Sequence, residues 1–356
     1  MLIVDAHLDL AWNALQWNRN LQQSVYTIRT QESQLTDAGR GMGTVALPEM
    51  RQAHIAICFA TLLARSTGKP VSNLDYSSPL QAHGIAQGQL AYYRALVEAG
   101  EVCLITNVTE LEDHIQSWSA WEKQTRFAQP QPGLVISMES ADPILAPEQL
   151  AYWKEAGLRI IGPAHYGVGR YAGGTSTEAG FTAEGFSLLQ EMDRLDLILD
   201  LTHLSDQAFW QAMDRFPGTV LASHNNCRAL VPHQRQFDDR QIRAIVARKG
   251  VIGVALDNWM IRPGWVRGAK ENESVTLAHV TDHIDHICQL AGNSQHAAVG
   301  SDLDGGFGRE QSPSDLDTIA DLQHIPDILT QRGYSDADIE SIMHDNWLRL
   351  LRTAWS

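Results

Sequence analysis

A histidine and a carboxylate two residues apart, His7 and Asp9, close the first apolar run of the chain, Leu2-Ile3-Val4-Asp5-Ala6-His7-Leu8-Asp9-Leu10. On an extended backbone, side chains at i and i+2 share a face. An imidazole nitrogen and a carboxylate oxygen placed this way can grip one metal ion at a strand end. The pattern recurs. Val135-Ile136-Ser137-Met138 runs into Glu139, and Ile160-Ile161-Gly162-Pro163-Ala164 runs into His165. Ile198-Leu199-Asp200-Leu201-Thr202 leads to His203, and Val220-Leu221-Ala222-Ser223 to His224. Ala298-Val299-Gly300-Ser301 leads to Asp302, with Asp304 two residues on. The set holds histidines and carboxylates and no thiolate, which suits catalytic zinc, manganese or iron better than a structural zinc. It offers more ligands than one ion needs. Two ions about 3.5 Å apart, bridged by a carboxylate and a hydroxide, would use them all.

Such residues need a scaffold that brings distant run ends together. Apolar runs at 2–10, 54–63, 133–139, 158–165, 197–204, 219–225, 251–257 and 297–304 alternate with stretches of helical period. About eight strands is the number a closed parallel barrel needs, and in such a barrel all strand C-termini meet at one face. The expected fold is therefore α/β, a (β/α)8 TIM-like barrel. Helices are expected at 87–99, 147–156, 183–195, 206–214, 239–249 and 277–292. Two C-terminal helices are expected around 314–332 and 336–353. Ser205-Asp206 and Asp238-Asp239 read as N-caps, Gly250 and Gly292 as stops. Residues 102–106 read as a further strand or a helix lead-in. The glycine-rich stretch 162–180 reads as a mobile surface loop that, in a barrel, folds over the site. No repeat or linker interrupts the chain, so 1–356 reads as one domain.

Composition agrees with a soluble globular protein: 356 residues, 44% hydrophobic and 19% charged. A formal net charge of −15 speaks against nucleic acid or an anionic membrane as partner. Cys58, Cys103, Cys227 and Cys288 are far apart and form no Cys-x-x-Cys. They read as reduced, buried thiols rather than a disulfide framework, with Cys227 notable for its nearness to His224. The first strand starts at residue 2, which leaves no room for a cleavable leader, and no apolar run is long enough to span a membrane. A cytoplasmic location is expected.

The order and spacing of five motifs carry a resemblance. They are Asp5-Ala6-His7-Leu8-Asp9, Met138-Glu139-Ser140-Ala141-Asp142, Asp200-Leu201-Thr202-His203-Leu204-Ser205, Ser223-His224-Asn225 and Gly300-Ser301-Asp302-Leu303-Asp304-Gly305. Nearly end to end, the chain resembles the membrane (renal) dipeptidase family, the M19 metallopeptidases. The resemblance implies a di-zinc β/α-barrel dipeptidase of EC 3.4.13 type, related to the amidohydrolases. It implies that His7 and Asp9 hold one Zn2+, that His203 and His224 hold the other, and that Glu139 bridges them. Mn2+ or Fe2+ are the alternative ions. His165 matches the family's substrate-polarising histidine. Arg235, in Gln234-Arg235-Gln236-Phe237-Asp238-Asp239, matches the arginine that receives the substrate α-carboxylate. Asp302 matches the acid that moves protons.

The chemistry implied is attack of a metal-bridging hydroxide on a peptide carbonyl. The metals and His165 would hold the oxyanion, and Asp302 would carry the proton to the leaving amine. Arg235 offers a planar fork to a free carboxylate, which an endopeptidase does not need. The partner is thus a small-molecule dipeptide, with no nucleic acid and no membrane; a homodimer stays open. The chain departs from the family pattern around Arg235 and at Leu256-Asp257-Asn258-Trp259, where an aromatic-Asn pair is often seen. Both departures bear on side-chain preference rather than on metal chemistry.

Two rival readings belong to other classes. One is an amidohydrolase acting on an N-acyl amino acid or cyclic amide. Those enzymes usually open with His-x-His and often bridge metals through a carbamylated lysine, whereas this chain has His-x-Asp and Glu139. The other is a catalytically inactive metal-binding barrel, which normally has lost ligands. Within His279-Val280-Thr281-Asp282-His283-Ile284-Asp285-His286, the i, i+3 pair His283 and His286 could chelate, but the segment reads as a packed or solvated helix face. Asp304 reads equally as a third catalytic carboxylate or as an orienting residue. Trp12, Trp17, Trp118, Trp121 and Trp259 read mostly as core or interface, with Trp12 near enough to the ligand run to line a pocket.

Overall fold

The computed structural model describes residues 1–123, 128–270 and 274–356. Each apolar run forms a strand, and all but β4 are shorter than the run: β1 Ile3–Leu8, β2 Ile55–Leu63, β4 Gly133–Glu139, β5 Leu158–Gly162, β6 Ile198–Asp200, β7 Val220–Leu221, β8 Ile252–Val254 and β9 Ala297–Val299. The stretch 102–106 resolves as a strand, β3 Cys103–Leu104, parallel to β4. Strands stop early because the polar residues that follow turn the chain. Ser140, His203, Asp302 and Asp304 all have positive φ, between 58° and 72°. A non-glycine residue held there stores about 1–3 kcal/mol of strain, and such residues gather at functional sites.

The strands pair in parallel in the order β1-β2-β4-β5-β6-β7, with β3 beside β4; β8 and β9 form a second parallel pair. A bridge between Ala222 and Ile252 joins the two sheets. Parallel strands buried on both faces need two cores. On one side, Ile3, Cys58, Ala60, Leu62 and Ile136 pack with the surrounding helices. On the other, Val4, Phe59, Val135, Ile160, Ile198, Leu221, Val251 and Ala298 meet in one cluster, so the sheet curls. Trp347, Leu348 and Leu351 fill the same cluster. The Trp347 ring lies edge-on to Phe59 at 5.3 Å, and its Nε1 donates to Val299 O at 2.9 Å.

Helices follow the strands where the caps placed them. Ser205 accepts from the Ala208 N–H, and Asp238 forms a capping box with Gln241. Gly292 ends helix Leu277–Ala291 at φ 71°. Before Gly250, Lys249 takes the left-handed conformation (φ 58°), so Gly250 is not itself the left-handed stop. Helices Leu10–Leu15, Val25–Gln31, Leu47–Gln52 and Val108–Lys123 were not anticipated. The C-terminal region is more broken than its periodicity suggests. It runs as 3-10 turns at Ile319–His324, helix Ile325–Gln331, helix Asp336–Glu340, a π-turn at Ser341–Asp345 and helix Asn346–Trp355.

The glycine-rich stretch 162–180 is a pinned ribbon rather than a loose surface loop. Bridges tie Tyr166 to Thr175, Val168 to Gly173 and Gly174 to Leu204, and residues 171–175 are buried. Gly174 permits the closest approach: a Cβ there would lie 1.8 Å from His165 O. Among the described residues, no helix is long and apolar enough to cross a membrane. All four cysteines are unpaired.

Candidate metal centre and active site

His7 sits near the end of β1, and Asp9 begins the helix that follows. Glu139 is the last residue of β4. His165, His203, His224 and Asp302 follow β5, β6, β7 and β9. Two buried carboxylates hold neighbouring strand ends in register. Asp5 Oδ1 accepts from the His7 and Ser301 N–H groups, at 3.2 and 2.8 Å. Asp200 Oδ1 accepts from Thr202 and Ser223, both at 3.0 Å. The fold thereby gathers all eight expected residues. Asp9, Glu139, His165, His203, His224, Arg235 and Asp302 line one pocket of 330 Å³, and His7 lies just behind Glu139.

Glu139 is the hub. Its Oε1 is 3.0 Å from His203 Nε2, 3.3 Å from His224 Nε2 and 3.7 Å from His165 Nε2. Its Oε2 is 3.6 Å from His7 Nε2. Donor atoms converge in three groups: His7, Asp9 and Glu139; Glu139, His203 and His224; and His7, His224 and Asp302. His7 Nε2, Asp9 Oδ1 and Glu139 Oε1 are buried with no hydrogen-bond partner. Orphaned polar atoms of this kind are costly in an apolar interior, and a cation among them removes the cost. The nitrogen and oxygen donors present therefore fit a divalent metal.

Electrostatics point the same way. Burial pushes Glu139 up to about 7, with His7 opposing and Asp9 assisting. Burial likewise lifts Asp302 well above the usual carboxylate range. Burial alone would lower His7, but Glu139, Asp9 and Asp302 outweigh it and carry the imidazole to about 10. Burial holds His203 and His224 well below the ordinary histidine value, with nearby cationic groups adding to the effect. Burial thus disfavours the charged carboxylates, a cost a divalent cation would offset, and it favours the neutral, ligating form of the two histidines. Each of those two has its far nitrogen on a hydroxyl: His203 Nδ1 is 2.9 Å from Thr175 Oγ1, and His224 Nδ1 is 2.9 Å from Ser223 Oγ. Partners at that position orient a ligand ring.

The profile of the family described as membrane dipeptidase (peptidase family M19) matches residues 1–355. The chain belongs to this family. It is thus a hydrolase of the metallo-dipeptidase class. An uncharacterized protein in the pqqA 5′ region of Klebsiella pneumoniae is 31% identical over 208 residues, 56% of this chain and 73% of that protein. The dipeptidase tcpJ of Claviceps purpurea is 30% identical over 210 residues, 57% of this chain and 46% of that protein. The match to the fungal relative thus spans under half of its length. A Rhodobacter sphaeroides metallopeptidase, solved with a phosphinate mimic of the dipeptide L-Ala-D-Ala, shares the fold at a TM-score of 0.77 and 21% identity. That likeness covers 100% of this chain and 99% of the other.

In this M19 peptidase Arg235 is fixed along one edge. Its Nη1 donates to Asn225 Oδ1 at 2.5 Å and its Nη2 to His224 O at 2.8 Å. Other pocket residues escaped the sequence reading: Arg65, Tyr166, Asp257 and Met260. Arg65 lies in an irregular stretch without any strand-end signal. Asp257 was signalled only as a departure from the family pattern. Burial pushes it up to about 7, and Gln311 donates to it at 2.8 Å. Trp12 lines the pocket, and its Nε1 donates to Asn73 O at 2.8 Å. Trp259 also lines the pocket rather than the core.

The Asp304 carboxylate lies outside the pocket lining and contacts none of the candidate ligands. Its oxygens accept from the Thr44 and Val45 backbones, the Thr44 hydroxyl and Arg19. The histidines of helix Leu277–Ala291 are each engaged elsewhere. His283 lies between Cys227 N and Ile261 O, His286 pairs with Asp239, and His279 caps at Thr276. Burial raises the Cys227 thiol, which contacts His283 O.

Proposed function

We propose that this M19 peptidase is a two-metal enzyme that hydrolyses dipeptides bearing a free C-terminal carboxylate. The observation that carries this reading is the convergence of three donor groups on Glu139, with orphaned buried atoms among them. His7 and Asp9 would hold one ion, His203 and His224 the other, and Glu139 both. Zn2+ suits this nitrogen and oxygen set, as do Mn2+ and Fe2+. Bound there, divalent ions supply Lewis acidity and a water of lowered pKa. Chain 1–356 would form one domain, a (β/α)8 barrel with C-terminal helices. Support comes from the inner cluster, to which each of the eight main strands or its flank contributes, and from the Ser301–Asp5 hydrogen bond between β9 and β1. Four unpaired cysteines favour the cytoplasm.

The protein's own groups divide the remaining work. Arg235 binds the α-carboxylate with the part of its guanidinium left open to the pocket. His165 offers an N–H to the scissile carbonyl oxygen, where negative charge develops. Asp302, kept protonatable by burial, accepts a proton from the attacking water and returns it to the leaving amine. The dipeptide mimic bound by the Rhodobacter sphaeroides neighbour supports this substrate class. An N-acyl amino acid offers Arg235 the same carboxylate, which favours an amidohydrolase as the second reading. The test is a panel on metal-loaded enzyme: L-Ala-L-Ala, L-Ala-D-Ala, their C-terminal amides and N-acetylalanine. Cleavage of the free dipeptides with poor turnover of the amides is expected. Turnover of N-acetylalanine alone would transfer the enzyme to the second reading.

A further inference from the structure

Three histidines face Glu139 Oε1 from the loops after β5, β6 and β7, yet only two are expected to bind metal. The difference lies behind the rings. Arg65 Nη1 is 2.9 Å from His165 Nδ1. A guanidinium has five N–H donors and no acceptor, and it stays charged. His165 Nδ1 must therefore present a lone pair. An imidazolium would set N–H against N–H, beside a fixed cation. The ring proton is left on Nε2, which points into the pocket. At 3.7 Å from Glu139 Oε1, that N–H is not consumed by a protein acceptor.

His203 and His224 are arranged in the opposite sense. The Thr175 hydroxyl donates to His203 O at 3.3 Å, so its oxygen accepts from His203 Nδ1 at 2.9 Å. The Ser223 hydroxyl donates to Thr202 Oγ1 at 3.4 Å, and its oxygen accepts from His224 Nδ1 at 2.9 Å. With the proton on Nδ1, each Nε2 keeps a lone pair for a metal.

We propose that Arg65 is a positioning residue that fixes His165 as the neutral Nε2–H tautomer, making it a hydrogen-bond donor to substrate rather than a third metal-binding histidine. This rests on the role given above to His165. Arg65 is itself ion-paired. Its Nε lies 2.9 Å from Asp75 Oδ2, and Asp75 accepts from the Thr67 N–H and hydroxyl. Its backbone is laddered to Leu74 and Tyr76. In the other tautomer, His165 Nε2 would turn a lone pair toward the substrate oxygen. The damage would grow as that oxygen gains charge, so the loss belongs in kcat rather than in KM.

Zinc-loaded protein labelled with 15N at histidine reports the tautomer directly by long-range N–H correlation, with His165 assigned from the signals missing in His165→Gln. The unaltered enzyme is expected to show His165 as Nε2–H. Arg65→Met should give a mixture of tautomers and lower kcat about 10–100-fold while KM moves less than about threefold. Arg65→Lys, which keeps a cationic donor, should recover part of the loss. An Nδ1–H or imidazolium signal in the unaltered enzyme overturns the proposal, as does Arg65→Met with an unchanged tautomer and kcat. The unaltered spectrum alone decides the tautomer if Arg65→Met does not fold. An Nε2–H signal in a protein that cleaves no dipeptide ends the dipeptidase reading and leaves the tautomer assignment standing. Cleavage by an enzyme with Nδ1–H does the reverse.

Discussion

Glu139 presents Oε2 to His7 and Oε1 to His203 and His224, so a change there disturbs both halves of the proposed centre. Glu139→Gln should therefore lose more kcat than His7→Ala or His203→Ala at saturating metal; near-normal turnover would place the bridge elsewhere. Asp302 presents a finer choice, because its Oδ1 is 3.8 Å from His7 Nε2 and could also ligate. If it carries the proton, Asp302→Asn should cut kcat about 10²–10⁴-fold with full metal content by elemental analysis. Loss of an equivalent of metal would make it a ligand instead. Arg235→Ala removes a charge-assisted contact of about 1.5–3 kcal/mol, so KM for dipeptides should rise roughly ten- to over a hundredfold with kcat little changed. Equal KM for variant and unaltered enzyme would remove the carboxylate from Arg235.

At the level of elements, the strands were legible because buried parallel strands must be apolar along their whole length, and β2 and β4 are buried at every residue. The candidate ligands were legible for a related reason. A His or Glu directly after such a run has few uses other than one at the end of the sheet. Arg65 and Tyr166 carry no such signal. They reach the pocket through tertiary packing of the strap 65–76 and the ribbon 162–180, which single-chain periodicity does not encode. Helix Val108–Lys123 was missed because its charged and aromatic residues leave a weak apolar stripe, with only Leu111 and Trp118 fully buried. The ribbon itself was misjudged, since glycines that read as freedom in the sequence serve close backbone contact at Gly174. It also carries Thr175 to His203. Thr175→Val should weaken metal binding about 10–100-fold in competition with a chelator. Unchanged affinity would reduce the ribbon to a cover over the site.

Across the whole molecule, a buried histidine outside the candidate metal centre should contribute to the loss of stability in acid, alongside His203 and His224. His283 is fully buried; its Nδ1 accepts from Cys227 N at 3.1 Å, and its Nε2 faces Ile261 O at 3.3 Å. Burial lowers it from 6.5 to about 4. As pH falls through 6.5 the unfolded chain takes up a proton that the native ring refuses until about 4. Stability is therefore complete above that window and is lost within it, by up to about 3 kcal/mol. Urea unfolding at pH 7, 5.5 and 4.5 should show a steeper decline for the unaltered protein than for His283→Leu; parallel declines would clear His283.

The seat of Trp347 against Phe59 has a consequence for biosynthesis. β1, β2 and β4 leave the ribosome long before the side chain that completes their shared interior. At about 5–20 residues per second, Phe59 waits on the order of 15–60 s for its neighbour. For that interval the nascent chain carries an open apolar trough, a natural client for chaperones that hold unfinished proteins apart.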